Sequence, residues 1–116
     1  MDLDSLFIYP CSKDIKRIKE ATSIEILGVG ATLIYKEHRP NFAILLLKGA
    51  AHVFDDSLKI KKIFNKSCLI GFVQLLERAP LKFHISIDKG SEVCFLDLQV
   101  SKTLIDVDFR GLHRKP

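Results

Sequence analysis

The stretch Ser67-Cys68-Leu69-Ile70-Gly71-Phe72-Val73-Gln74-Leu75-Leu76-Glu77-Arg78-Ala79-Pro80-Leu81-Lys82-Phe83-His84-Ile85 decides the fold. An apolar run meets a glycine, turns through about one helical turn to a proline, and resumes as an alternating strand beginning near Phe83. The unit reads as strand, glycine, short helix, proline, strand. Around it the chain is a succession of short β-like runs. Ile24 to Leu27 and Thr32 to Lys36 are separated by a turn at Gly28 and Gly30, and His38 to Asn41 is the next break. Phe42 to Lys48 is apolar at every position but the last, as a strand buried between two layers would be, and Gly49 interrupts it before Ala51 to Phe54. Asp55-Asp56-Ser57 is a turn and Leu58 to Phe64 the next strand, its Lys59-Ile60-Lys61-Lys62-Ile63 core alternating as if one face were wet.

Downstream, His84, Ser86 and Asp88 alternate with Phe83, Ile85 and Ile87, which places one set on a wet face and the other in a core. Asp88-Lys89-Gly90-Ser91 turns the chain, Glu92 to Gln99 is the last strand, and Ser101 is expected to cap a short helix through about Asp106. Upstream, Leu3 to Tyr9 is an apolar lead-in ended by Pro10. Ser12 is expected to cap a helix ending near Ala21, with Ile15 and Ile18 inward and Lys13, Lys16, Arg17 and Lys19 outward. The expected fold class is therefore mainly β: a jelly roll or β-sandwich of about eight short strands with an N-terminal helix, a short helix after Gly71 and a short C-terminal helix. It divides into a helical lead-in over 1–21, a β-roll over 22–100, and a short helix and tail over 101–116, all in one domain.

Composition sets limits. The 116 residues, 47% hydrophobic and 9% aromatic, suit one core of ordinary size. The apolar run Ala43 to Leu47 is too short to span a bilayer, and the acidic start Met1-Asp2-Leu3-Asp4 lacks the basic region of a secretory leader, so a cytoplasmic protein without a membrane partner is expected. Cys11, Cys68 and Cys94 are odd in number and lack Cys-x-x-Cys spacing; they read as reduced thiols, two of them buried. His38, His52, His84 and His113 show no metal-ligand spacing, and no metal or cofactor is expected. A net charge of +4 and a pI near 9.0 permit attraction to nucleic acid. Its basic clusters, at Lys13 to Lys19, Lys59 to Lys62 and His113-Arg114-Lys115, carry no interleaved aromatics for stacking single strands. They read as solvated faces and a tail, and no sequence-specific DNA binding by this chain alone is expected.

The Gly71 to Pro80 unit resembles the phosphate-binding cassette of cyclic nucleotide-binding domains, the sensory modules of Crp/Fnr-type bacterial regulators. Gly30 and Gly49 fall where that family turns into its second strand and breaks a central one, and Gly71, Leu75, Leu76 and Pro80 match the cassette scaffold. The ligand positions depart from the pattern. The family's ribose-binding glutamate is replaced by Phe72 and its phosphate-pairing arginine by Leu81; Lys82 comes one residue late, and Phe83 and His84 replace a small residue and a hydroxyl. A one-residue shift in an extended strand points a side chain to the opposite face. The pocket candidates are accordingly Gly71, Phe72, Val73, Leu81, Lys82, Phe83 and His84, with no catalytic residue among them.

What the resemblance implies is a regulatory sensor or interaction domain of a Crp/Fnr-like transcription regulator with a degenerate cassette, not an enzyme. Its expected partner is a C-terminal winged-helix DNA-binding domain outside this chain, or another protein. The isolated chain is expected to be monomeric or to associate weakly. Two alternatives stand beside it: a small-ligand module whose remodelled pocket, lined by Phe72, Leu81 and Phe83, takes something apolar, and a small cupin-like metal enzyme with His84 as its most plausible working histidine. Cys68, just before the cassette, would be a redox switch only if its thiolate were stabilised there.

Overall fold

In the computed structural model, residues 6–28, 32–34, 36–57 and 59–104 are described, with backbone alone at 32 and 33. They form nine short strands in two antiparallel sheets together with three helices. The order is β1 (Phe7–Ile8), α1 (Ser12–Ala21), β2 (Ile24–Ile26), β3 (Thr32–Ile34), β4 (Ala43–Lys48), β5 (Ala51–Phe54), β6 (Ile60–Phe64), β7 (Cys68–Ile70), α2 (Phe72–Glu77), β8 (His84–Ile87), β9 (Glu92–Leu96) and α3 (Leu98–Leu104). One sheet runs β1-β7-β4-β9-β2 and the other β3-β8-β5-β6. The expected sandwich with short helices is what forms. No described helix is long and apolar enough to cross a membrane.

The pattern of β4 explains the layering. Ile44 and Leu46 point into the space between the sheets, with Phe7, Val53, Phe64, Ile70, Leu81, Ile85, Ile87 and Val93. Ala43 and Leu45 point the other way, into a second cluster with Ile18 of α1, Phe72, Val73 and Leu75 of α2, and Leu104 of α3. All four β4 residues are buried, so a continuous apolar run, rather than an alternating one, marks the strand with a layer on each side. The sheet order then reads as three layers: the four-stranded sheet, the five-stranded sheet, and the helices.

The turns follow from residue chemistry. Gly49 turns β4 into β5 at φ 113°, a conformation L side chains rarely adopt, and a Cβ there would overlap the Ser91 side chain and approach its Cα to 2.9 Å. Asp55 Oδ1 accepts from Ser57 N–H (3.0 Å), Ser57 Oγ (2.6 Å) and Lys59 N–H (3.3 Å), closing the β5–β6 turn that the Asp-Asp-Ser sequence announces.

Several boundaries and one strand depart from expectation. The last strand ends at Leu96 rather than Gln99, because Asp97, not Ser101, caps α3: its carboxylate accepts from Val100 N–H at 2.9 Å. Ser12 is already helical, and Cys11 is the N-cap of α1, without a side-chain cap bond. The strand after the cassette starts at His84, not Phe83. In β6 the wet and dry faces are not those simple alternation gives. Ile63 pairs with His52, the register against β5 then shifts between Val53 and Phe54 so that Ile60 pairs with Phe54, and both isoleucines are exposed on the outer face. Lys62, opposite the buried Val53, is turned to the sandwich side, and its Nζ lies 5.3 Å from the Phe64 ring centroid. An inward-turned lysine on a terminal strand opposes edge-to-edge pairing. The positions of Gly30, Leu58 and the tail from 105 onward, His113-Arg114-Lys115 included, lie outside the described residues.

Gly49→Ala is expected to destabilise the fold by about 2 kcal/mol or more, from backbone strain together with the Ser91 overlap. Thermal denaturation checks this against Gly28→Ala, where an added Cβ meets nothing within 4 Å and the midpoint should scarcely move.

Candidate functional site

The Gly71 to Pro80 unit forms the turn and short helix that its sequence suggests. β7 ends at Ile70, and Gly71 turns the chain at φ 75°, its N–H donating to Leu6 O at 2.9 Å. Helix α2 follows for 6 residues and closes on Arg78 in the left-handed region, where Arg78 N–H donates to Leu75 O and Ala79 N–H to Gln74 O at 2.9 Å. Pro80 then releases Leu81 into an extended pairing with the loop after β3. Leu81 N–H donates to His38 O (2.9 Å), and Leu81 O accepts from Glu37 N–H (2.7 Å).

The seven pocket candidates fall into different environments. Phe72 (1% exposed) and Val73 sit in the helix-side cluster, behind the five-stranded sheet. Leu81 (2% exposed) is in the cluster between the sheets, and Phe83 packs against that cluster while half-buried. Lys82 is exposed, and His84 lies half-buried on the outer face of the four-stranded sheet. The sheet thus stands between Phe72 and the pair Leu81 and Phe83, and the expected common lining by these three is not brought together. Gly71 supplies the turn. Phe72 and Leu81 are both core side chains.

His84 is the centre of a polar cluster that the sequence did not announce. Its Nδ1 accepts from Lys36 N–H at 3.2 Å, so the ring proton resides on Nε2, which donates to Asp56 Oδ1 at 2.9 Å. Asp56 Oδ2 receives Lys36 Nζ at 2.8 Å, and the Phe54 ring stacks on the imidazole with centroids 5.7 Å apart. The Lys36 ammonium first, and the His84 ring second, hold the Asp56 carboxyl below its usual range; the same bond to Asp56 raises Lys36. The cluster fastens the loop after β3 and the β5–β6 turn to the strand leaving the cassette. On the same sheet face His52 Nε2 lies 3.0 Å from Asp88 Oδ1. Among the described residues no group of three or more His, Cys, Asp or Glu side chains could hold a metal ion.

Cys68 and Cys94 are buried and Cys11 exposed, as expected. Burial pushes the Cys68 thiol up to about 12, so the thiolate that redox chemistry requires is not formed near neutrality.

A hollow of about 180 Å³ opens elsewhere, at the mouth of the sandwich, lined by Ile34, His38, Pro40, Asn41, Phe42, Ile44 and Phe95. Sequence reading passed over these residues because His38 to Asn41 scans as a plain break and Phe42 scans as part of the buried strand, whereas the residue is 49% exposed.

No family model and no curated protein sequence matches the chain. Its fold is similar to that of solved structures. Against the Thermus thermophilus catabolite activator protein the TM-score is 0.66 at 14% identity, covering 82% of this chain and 46% of that one. Against the regulatory domain of Toxoplasma gondii PKA with cAMP it is 0.64 at 14% identity, covering 89% and 40%. Oxidized CprK in complex with o-chlorophenolacetic acid gives 0.56 at 14% identity, covering 88% and 43%. The chain thus spans less than half the length of each of these three. At identities this low the likeness shows the fold alone.

Two outcomes test the site chemistry. Asp55, held by Ser57 first among its hydrogen-bond donors, titrates at about 2 rather than 3.8, and Asp56 is lowered too. A depressed folded value stabilises above the unfolded one, so this contribution is complete above 3.8 and is lost as pH falls through about 2. The urea midpoint is expected to drop across that window, and Asp55→Asn, which keeps the Oδ1 acceptor, is expected to flatten the drop. In thiol labelling of the native chain at pH 8, Cys11 is expected to react and Cys68 and Cys94 only after unfolding; labelling of Cys68 at the rate of Cys11 would contradict its burial.

Proposed function

We propose that this chain, whose fold is the cyclic nucleotide-binding-like β-roll of Crp/Fnr type, is the regulatory sensor or interaction domain of a Crp/Fnr-like transcription regulator that does not take cyclic AMP or cyclic GMP. The observation that carries the reading is the fate of Leu81. It follows the cassette proline, where the resemblance expects the arginine that pairs with the cyclic phosphate, and it is 2% exposed among Ile85, Val53 and other side chains between the sheets. An anion brought there would lose its counter-charge and meet hydrocarbon. Losing one partner of a buried charge pair costs about 2–5 kcal/mol. Phe72, in place of the ribose-binding glutamate, removes an acceptor as well, and leaving a hydroxyl unpaired costs about 1–3 kcal/mol.

The reading treats the chain as one non-enzymatic, cytoplasmic domain whose output goes to a C-terminal winged helix or another protein. In support, the catabolite activator protein, of which the chain spans 46%, is a regulator by its name. His84 and His52, the histidines best placed for chemistry, are each engaged by an aspartate that ties neighbouring elements together. A small-ligand role is the second reading, favoured by the hollow at the sandwich mouth rather than by the cassette.

Calorimetry with each nucleotide tests the proposal. No saturable heat is expected up to about millimolar nucleotide, since the two losses together move a micromolar site to that range. Low-micromolar binding that Lys82→Ala abolishes would overturn it, because the exposed Lys82 would then be the phosphate partner.

A further inference from the structure

Of the four terminal strands, β6 is the one long enough to take another strand beside it. It runs for 5 residues, against 2 in β1 and 3 each in β2 and β3. It pairs with β5 alone, so the backbone groups on its other side have no backbone partner among the described residues. Its side chains divide by face. Ile60 (57% exposed) and Ile63 (50%) stand on the outer face of the sheet, while Lys62 turns to the sandwich side. Lys59 precedes the strand and Lys66 follows it, both exposed, and Lys66 Nζ lies 5.5 Å from the ring centroid of Tyr9, itself half-exposed beside Phe64. The positive charge along this edge is almost unanswered. Asp55 Oδ2 takes Lys61 Nζ at 3.5 Å, whereas Lys59, Lys62 and Lys66 form no ion pair among the described residues.

From these placements we infer that β6 is the docking edge for an extended, acidic segment of a partner protein, one in which carboxylates alternate with apolar side chains. The free backbone groups of β6 hold such a segment by the ladder bonds any strand can make, and the side chains on its two faces decide which sequence is accepted. On the sandwich side a carboxylate placed beside Lys62 meets a cation, and further carboxylates along the same face run toward Lys59 at one end and Lys66 at the other. On the outer face the intervening apolar side chains cover Ile60 and Ile63, which otherwise stand in water. The same lysines reject the alternatives. A second β6 would set lysine against lysine, and a neutral strand would desolvate Lys62 with no answering charge, so what guards the edge against indiscriminate pairing also selects an acidic partner. A nucleic acid would engage the ammonium groups and leave both isoleucines and the strand backbone unused. The inference gives a partner chemistry to the interaction role proposed above and rests on that role for its regulatory meaning alone.

Binding is read on the whole 116-residue chain, isotopically labelled, with an end-capped heptapeptide of alternating glutamate and valine as the probe. Saturable amide shifts are expected at residues 59–66 and along β5, with a dissociation constant of about 1 mM or tighter, the scale that a few net ladder hydrogen bonds imply. A peptide alternating lysine and valine is expected not to bind. N-methylation of alternate backbone nitrogens keeps every charge of the acidic peptide but removes ladder donors, and is expected to weaken it about tenfold. Lys62→Glu is expected to weaken binding about fivefold by reversing the charge at the centre of the edge. Ile60→Ser is expected to weaken it about threefold through lost apolar cover. Lys59→Glu, exposed and outside the strand, is expected to cost about threefold and decides the matter if Lys62→Glu does not fold. Shifts that map elsewhere, full affinity in the folded lysine variants, or equal binding of the N-methylated peptide would overturn the strand-docking edge, the last by leaving a contact of charge alone. Saturable cyclic nucleotide binding with peptide uptake intact would instead count against the proposed function and leave the edge standing.

Discussion

Burial of β4 on both faces is the constraint on which the other elements depend. Ile44, Leu45 and Leu46 are all at most 4% exposed, and burying each such side chain is worth about 1.5–3 kcal/mol. Three of them together approach the whole net stability of a domain, about 5–15 kcal/mol. The strand can be retained only if something covers each side. The β3-β8-β5-β6 sheet covers Ile44 and Leu46; α1, α2 and α3 cover Leu45. The cassette helix is therefore held by core packing before any ligand is considered. Phe72, Val73 and Leu75 anchor α2 against the same strand that the opposite sheet covers from the other side.

That anchoring accounts for the geometry of the Gly71 to Pro80 unit without any ligand. The turn needs a residue tolerant of positive φ, which Gly71 provides, and the helix end needs a left-handed residue, which Arg78 accepts. Neither requirement involves an anion. Phe72 and Leu81 contribute hydrocarbon to the two clusters, one to each. Placing a charge at either position would mean burying it without a partner, which proteins avoid by a wide margin. The turn and the short helix thus stand on backbone conformation and core packing alone.

The fold was legible because its signals are periodic. The continuous apolar run at β4, the alternation from Phe83 to Asp88 and the glycine-to-proline unit each point to one local structure, and each forms. Legibility failed where the deciding interaction is nonlocal. Nothing near Ile60 or Ile63 in sequence reveals that the β5–β6 register slips and turns both outward. Asp97 outcompetes Ser101 as a cap because of where β9 ends, a boundary set by pairing with β4. The same holds for the site. Lys36, Asp56 and His84 are 20 to 48 residues apart in sequence, so their ring of contacts exists only after the sandwich has closed. Phe72 and Leu81, close in sequence and expected to share a pocket, are separated by a sheet.

The loop after β3 joins these separate features into one physical unit. Glu37 and His38 pair with the backbone of Leu81, Lys36 N–H reaches the His84 ring, and Lys36 Nζ and His84 Nε2 meet at Asp56. The same loop, through His38, Pro40 and Asn41, forms one wall of the sandwich mouth. Any displacement at the mouth must therefore either break the Leu81 pairing or carry Leu81 with it. Leu81 is packed among Val53, Ile85 and Ile87, so moving it means repacking the centre of the sandwich, and close-packed interiors shift between discrete arrangements rather than yielding gradually. The link between this loop and the sandwich core at Leu81 is thus a pair of backbone hydrogen bonds beneath a buried aliphatic side chain, so loop and core shift together or not at all.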